Sequence, residues 1–100
     1  MEIEKKMGED DTLCIKPAGR IDIMSAQDFS DEVLSSISNV NSLTLDFSDI
    51  NYVSSAGLRA ILEIAKNVEI NNGSLQIVNV PRNILDIFRM TGFDKILNIG

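Results

Sequence analysis

"NYVSSAGLRAIL", Asn51 to Leu62, is where the chain changes its hydrophobic period. Just upstream, "SLTLDF" (Ser42 to Phe47) alternates Leu43, Leu45 and Phe47 with Thr44 and Asp46, the period of two expected of a half-buried strand. Downstream, Leu58, Ile61, Leu62, Ala65 and Val68 recur at helical spacing, with Arg59, Glu63, Lys66 and Asn67 on the opposite face. A strand that passes into an amphipathic helix through a pair of serines is a β–α unit, and a chain of such units implies parallel strands joined by helical crossovers. The segment "SDINYVSSAGL" reads as the connecting loop.

The same alternation of periods extends outward in both directions. Asn71, Asn72 and Gly73 stop the helix, and "SLQIVNV" follows as an apolar strand. Pro81 sits where a first helical turn tolerates it, Ile84, Leu85, Ile87 and Phe88 make one stripe, and Gly92 ends that helix with Phe93 placed for a C-terminal hydrophobic contact. "KILNI" closes the chain as a last strand. Toward the N-terminus, residues 2 to 7 and 12 to 18 read as a hairpin around the polar turn "GEDD", Gly8 to Asp11. "SAQDFSDEVLSSI" begins with Ser25 and has Asp28 three residues on, a capping-box pattern, and carries Phe29, Val33, Leu34 and Ile37 at helical spacing. The order β-β-α-β-α-β-α-β predicts an α/β domain spanning 1–100, with a mixed sheet of four to five strands, its later strands parallel, and three main helices packed on it.

Composition removes whole classes of function. One hundred residues with 44% hydrophobic content make one domain that folds alone, burying roughly two-thirds of its unfolded surface. A net charge of −6 argues against an electrostatic grip on nucleic acid or anionic lipid and points to a protein partner or a small ligand. The start, "MEIEKKMGEDD", has no signal-peptide pattern and no apolar run approaches about 18 residues, so a cytoplasmic location is expected. Cys14 is the lone cysteine, which forbids an internal disulfide, and its apolar neighbours predict burial. Absence of histidine removes His-based metal sites and His general bases, and no cofactor is expected.

Four roles compete for the serine turn. Ser54 or Ser55 can be an N-cap and nothing more, worth about 0.5–2 kcal/mol. Gly57 in the first turn costs roughly 1 kcal/mol against Ala, so a close backbone approach or a partner is needed to explain it. A nucleophilic serine, suggested by "SSAGL", lacks the first glycine of the nucleophile elbow and any histidine base. A phosphate-binding turn has the physics of a helix N-terminus but a single glycine. Finally, a serine can receive a phosphate: a hydroxyl at an exposed helix start is open to a kinase, and the added charge of about −1.5 to −2 would disrupt an interface built over it.

The whole chain resembles the STAS family, in particular the single-domain anti-anti-sigma factors (anti-sigma factor antagonists) of bacterial partner switching. "CIKPAGRIDIMSAQDF" resembles the family's strand, Gly-x-hydrophobic-Asp turn and first helix; "LTLDFSDINYVSSAGLRAIL" its phosphorylation motif; "GSLQIVNVPRNILDIFRMTGFDKIL" its C-terminal strand, helix and closing strand. The resemblance implies a non-enzymatic switch that, unphosphorylated, binds an anti-sigma factor with serine-kinase activity and so frees a sigma factor. Phosphorylation ends the interaction, and a PP2C-type serine phosphatase restores it. In the family's common Asp-Ser-[Ser/Thr]-Gly-Leu, the serine after the aspartate takes the phosphate. Here Ser54 occupies the aspartate position, Ser55 is the implied acceptor with Ser54 the second choice, and Ala56, Gly57 and Leu58 follow.

The implied docking surface comprises Asp22, Ser54, Ala56, Gly57, Leu58 and Arg59, with no direct nucleic-acid or membrane contact, the protein being a monomer or weak dimer. Asp22, the turn aspartate of "GRID", reads either as a partner contact or as an Asx turn holding the entry to the first helix. Arg59 reads as a partner contact or a solvated face, Asp46 as a receiver-type phosphoacceptor or a structural carboxylate, and Ile23 and Met24 as an exposed interface or, the larger expectation, as buried under the first helix. Within the same family, a module serving a non-sigma output without phosphorylation is the alternative, as is one binding a small ligand or nucleotide near Gly57.

Overall fold

The computed structural model describes residues 1–8, 11–37 and 40–99. β1 (Glu2–Met7) lies antiparallel to β2 (Thr12–Ile21), from Glu2 opposite Ala18 to Met7 opposite Leu13. Glu9 and Asp10 of the expected turn lie outside the described residues. β3 (Ser42–Asp46) runs parallel to the first half of β2, β5 (Ser74–Val78) parallel to β3, and β6 (Asn98–Ile99) parallel to β5. The spatial order is β1-β2-β3-β5-β6, with β4 (Asp49–Val53) pairing the second half of β2.

The mixed α/β architecture is as the sequence implies, with six strands among the described residues against the four to five expected. β2 does not end at Ala18: Gly19 takes φ +108°, the register shifts there, and the strand continues to Ile21. β3 meanwhile ends in a turn in which Asp46 Oδ1 accepts from the Ser48 N–H at 3.0 Å and the Ile50 N–H donates to the Phe47 carbonyl at 3.0 Å. The chain then resumes as β4 beside the continued β2. Residues read as loop are therefore a strand, and its end at Val53 lies opposite Ile21.

Among the described residues four helices accompany the sheet: α1 (Ala26–Leu34), α2 (Ser55–Ile70), α3 (Arg82–Thr91) and the short α4 (Phe93–Ile96). The expected final strand is mostly α4, leaving Asn98–Ile99 as β6. Leu13, Ile15, Leu43, Leu45 and Ile77 on one face of the sheet join Phe29 and Val33 of α1, Ile61 and Ile64 of α2, and Ile84 and Phe88 of α3 in one core. Each fully buried side chain of this size contributes about 1.5–3 kcal/mol by leaving water. Gly92 at φ +79° turns the chain so that Phe93 stacks on Phe88, with ring centroids 6.0 Å apart, the expected C-terminal contact. Cys14, expected to be buried, is half-buried among the polar positions that alternate with the core along β2 and β3. No helix among the described residues is long and apolar enough to cross a membrane.

Candidate functional site

Parallel strands β2 and β4 end side by side, and each hands its chain to a helix, β2 to α1 and β4 to α2. Two turns are thereby brought together at one edge of the sheet, as is usual for ligand and partner sites of α/β units.

The first turn is built on Asp22. Its Oδ1 accepts from the Met24 N–H at 3.0 Å, the Ser25 N–H at 3.1 Å and the Ser25 hydroxyl at 3.2 Å, while its carbonyl accepts the Ala26 N–H at 2.8 Å. Oδ2 lies 3.5 Å from Nε of Arg20, whose guanidinium covers the Tyr52 ring at 4.3 Å. Partial removal from water pushes the Asp22 carboxyl upward, but the N–H bonds from Met24 and Ser25, the Ser25 hydroxyl and Arg20 outweigh it and hold the pKa below the usual carboxylate range. These bonds are those of the structural Asx turn.

They also overturn two expectations. Ser25 makes no side-chain cap; its hydroxyl donates to the Arg20 carbonyl at 2.6 Å, and the Asp22 carboxylate takes the Ser25 N–H, one of the two that a capping box would satisfy. Ile23 and Met24 are not buried: the tight turn throws them outward, 80% and 85% exposed. Two large apolar side chains fully in water beside the serine turn are a contact feature that the helical spacing of the sequence does not reveal.

The second turn separates the two serines. Ser54 is the N-cap of α2: its Oγ accepts the Gly57 N–H at 3.1 Å and donates to the Ile21 carbonyl at 3.2 Å, and its own N–H reaches the same carbonyl at 2.9 Å. Half-buried and bonded both ways, that hydroxyl ties α2 to the end of β2. Ser55, the first residue of the helix, is exposed, and among the described residues its hydroxyl has no hydrogen-bond partner. Gly57 is buried because the helix comes so close to β2: a Cβ there would lie 2.6 Å from the Ile21 carbonyl oxygen and 2.9 Å from Val53 Cγ1. Its role is that approach, and it presents no side chain to a partner. Leu58 is half-buried against the core, whereas Arg59 is exposed one turn beyond Ser55.

A groove of about 390 Å³ continues from this turn between α1 and α2, lined by Ile23, Ala26, Ser30, Ala56, Arg59 and neighbouring residues. Its wall includes Ser30, whose buried hydroxyl has no partner among the described residues. Asp46 stands apart in its own turn; burial raises its carboxyl, but Ser48 and Asn79 hydrogen bonds and the Lys16 charge lower it further, as befits a structural role. Among the described residues no group of three or more His, Cys, Asp or Glu is arranged to hold a metal ion. The site therefore brings Ile23, Ala56 and Arg59 to one groove, with Asp22 and Met24 on the first turn and Ser55 at the helix start adjoining them in the chain, and Ser54 and Gly57 tying the two turns together.

Comparison with known proteins gives a consistent result. The STAS domain profile matches residues 4–100. The anti-sigma-B factor antagonist of Bacillus subtilis is 26% identical over 100 residues, covering all of this chain and 91% of the relative. A crystal structure of a candidate anti-sigma factor antagonist from Thermotoga maritima superposes with a TM-score of 0.90 at 23% identity, over 97% of this chain and 84% of the other. The phosphorylated form of the Bacillus cell-fate determinant SpoIIAA superposes with a TM-score of 0.75 at 16% identity, over 99% of this chain and 91% of that one. At such identities the two structures establish the fold.

Proposed function

The chain belongs to the STAS domain family, and on that premise we propose that it is a bacterial anti-sigma factor antagonist switched by phosphorylation of Ser55. Unphosphorylated, it docks an anti-sigma factor that is also a serine kinase and so frees a sigma factor; a PP2C-type phosphatase resets it. The observation that carries the reading is the division of labour between the serines. Ser54 is spent on the fold, while the Ser55 hydroxyl is exposed at the first position of α2, next to Ala56, which shares a groove with the exposed Ile23.

The chemistry belongs to the kinase. Ser55 Oγ attacks the γ-phosphorus of kinase-bound ATP, an O–P bond forms, the bond from that phosphorus to the β–γ bridging oxygen breaks, ADP departs, and the hydroxyl proton passes to a base on the kinase. This chain supplies the acceptor and its placement and no catalytic group of its own. The product puts about −1.5 to −2 charge on a surface whose neighbours include the exposed apolar pair, and an interface closed over that surface would have to desolvate the phosphate.

Intact-mass spectrometry after incubation with ATP and each candidate kinase of the source genome tests the assignment. One phosphate is expected on the wild type and on Ser54→Thr, and none on Ser55→Ala. Phosphate retained by Ser55→Ala would place the acceptor elsewhere.

A further inference from the structure

We propose that this turn keeps a phosphate on Ser55 doubly ionised at neutral pH, with Ser54 as an uncharged positioning residue and Arg59 as the counter-charge. The proposal rests on Ser55 being the phosphoacceptor and goes on to say what sets the strength of the switch.

The start of a helix needs an acceptor for its free N–H groups, and a carboxylate is the commonest charged way to supply one. Here the Gly57 N–H is satisfied at 3.1 Å by a neutral hydroxyl, and that hydroxyl simultaneously donates to the Ile21 carbonyl at 3.2 Å. An ionised carboxylate at position 54 could accept but not donate, and it would set a negative charge on the residue adjoining the phosphate. The N–H groups of Ser55 and Ala56 remain at the positive end of a 16-residue helix. Arg59, four residues on, shares the helix face of Ser55, is exposed, and makes no ion pair among the described residues.

The other ionisable groups on the elements packed here change this little. Asp22, on the adjoining turn, is paired with Arg20 at 3.5 Å; Tyr52 on β4 lies beneath that guanidinium; Glu63 is a further turn along α2; α1, packed on α2, carries Asp28 in its first turn; and on α3, packed on β4, Arg82 and Asp86 are paired with each other at 3.8 Å. The nearest unpaired charge along the chain is thus positive.

A full charge at about 6 Å in a largely aqueous setting moves a neighbouring pKa by about half to one unit. For a phosphoserine with its second pKa near 6, a rise of one unit lowers the dianion at pH 7 from about nine-tenths to about one-half. A neutral cap therefore preserves the charge that drives a partner away.

The test uses the full chain with phosphoserine encoded at position 55, so that it needs no kinase, and follows the ³¹P chemical shift against pH at low and at 0.5 M salt, roughly 4 Å of Debye length. The unmodified background should titrate at or below about 6. Ser54→Asp should raise the midpoint by about half to one unit and Arg59→Gln by a smaller step, both shrinking in high salt, while Ser54→Asn should leave it in place. Identical midpoints in all four proteins overturn the proposal, as does a shift in Ser54→Asn equal to that in Ser54→Asp, which would make the effect structural. If Ser54→Asp does not fold, Arg59→Gln decides alone, because its side chain is exposed. Failure of every kinase to modify Ser55 would instead count against the proposed function and leave this titration readable.

Discussion

The turns after β2 and β4 solve the same problem in opposite ways. Both must end a parallel strand and start a helix within a few residues, with N–H groups to satisfy. The first does it with a charge: the Asp22 carboxylate gathers the N–H groups of Met24 and Ser25, the Ser25 hydroxyl and the Arg20 guanidinium. The second does it with a hydroxyl, Ser54, supported by a glycine that lets the helix touch the strand beside it. The charged turn is self-contained and pushes two apolar residues into solvent; the neutral one leaves its adjoining serine free. The contrast shows where negative charge is structural and where it is withheld, and the position where it is withheld, Ser54, adjoins the one proposed to take a phosphate.

The most damaging change to the comparison is at the glycine. Gly57→Ala places a Cβ 2.6 Å from a backbone oxygen that cannot rotate away, and we expect a loss of about 3 kcal/mol in urea unfolding, in the range of overpacked cores. A loss below about 0.5 kcal/mol would mean that α2 does not need this approach. Next comes the neutral cap: Ser54→Ala should cost about 1–2 kcal/mol and Ser54→Thr, which keeps donor and acceptor, much less. Equal losses in the two variants would show that packing, not the pair of hydrogen bonds, matters there.

The charged turn is broken by acid rather than by volume. A carboxyl whose folded pKa is depressed contributes stability that is present above its unfolded pKa, near 3.9, and lost as pH falls through the folded value. The unfolding midpoint of the wild type should therefore drop as pH is lowered below about 4, and Asp22→Asn should show a shallower acid limb. Asp46 shifts the same way and will leave part of that limb in place. Curves that run parallel would remove Asp22 from the account of acid stability. The smallest effect is expected at Ser55→Ala, within about 0.5 kcal/mol of wild type because the side chain is exposed and, among the described residues, unbonded, even though the variant is expected to take no phosphate.

The order of strands and helices was legible because Leu43, Leu45, Ile61 and Val68 announce their period locally. β4 was not: Asp49 and Asn51 are poor strand formers, and only the continued half of β2, reached through the positive φ of Gly19, gives the strand a partner, with Asn51 passed over where the register shifts. The capping box at Ser25 misled for a related reason, since Asp22 lies outside the four-residue pattern and takes the Ser25 N–H that Asp28 would have to accept. At the site, the sequence identified the serine pair but not which hydroxyl is free, because the acceptor that occupies Ser54 is the carbonyl of Ile21, 33 positions earlier. Exposure of Ile23 and Met24 was hidden in the same way: it follows from the bonds of a neighbouring carboxylate, not from their hydropathy.

The most direct measurement is calorimetric titration of the anti-sigma factor kinase with this protein in two forms, unmodified and carrying phosphoserine at position 55. The account predicts tight binding of the first and at least about 100-fold weaker binding of the second, a difference of about 2.7 kcal/mol. Equal affinity for the two forms would contradict it, because a phosphate placed on Ser55 would then lie outside the surface that docks.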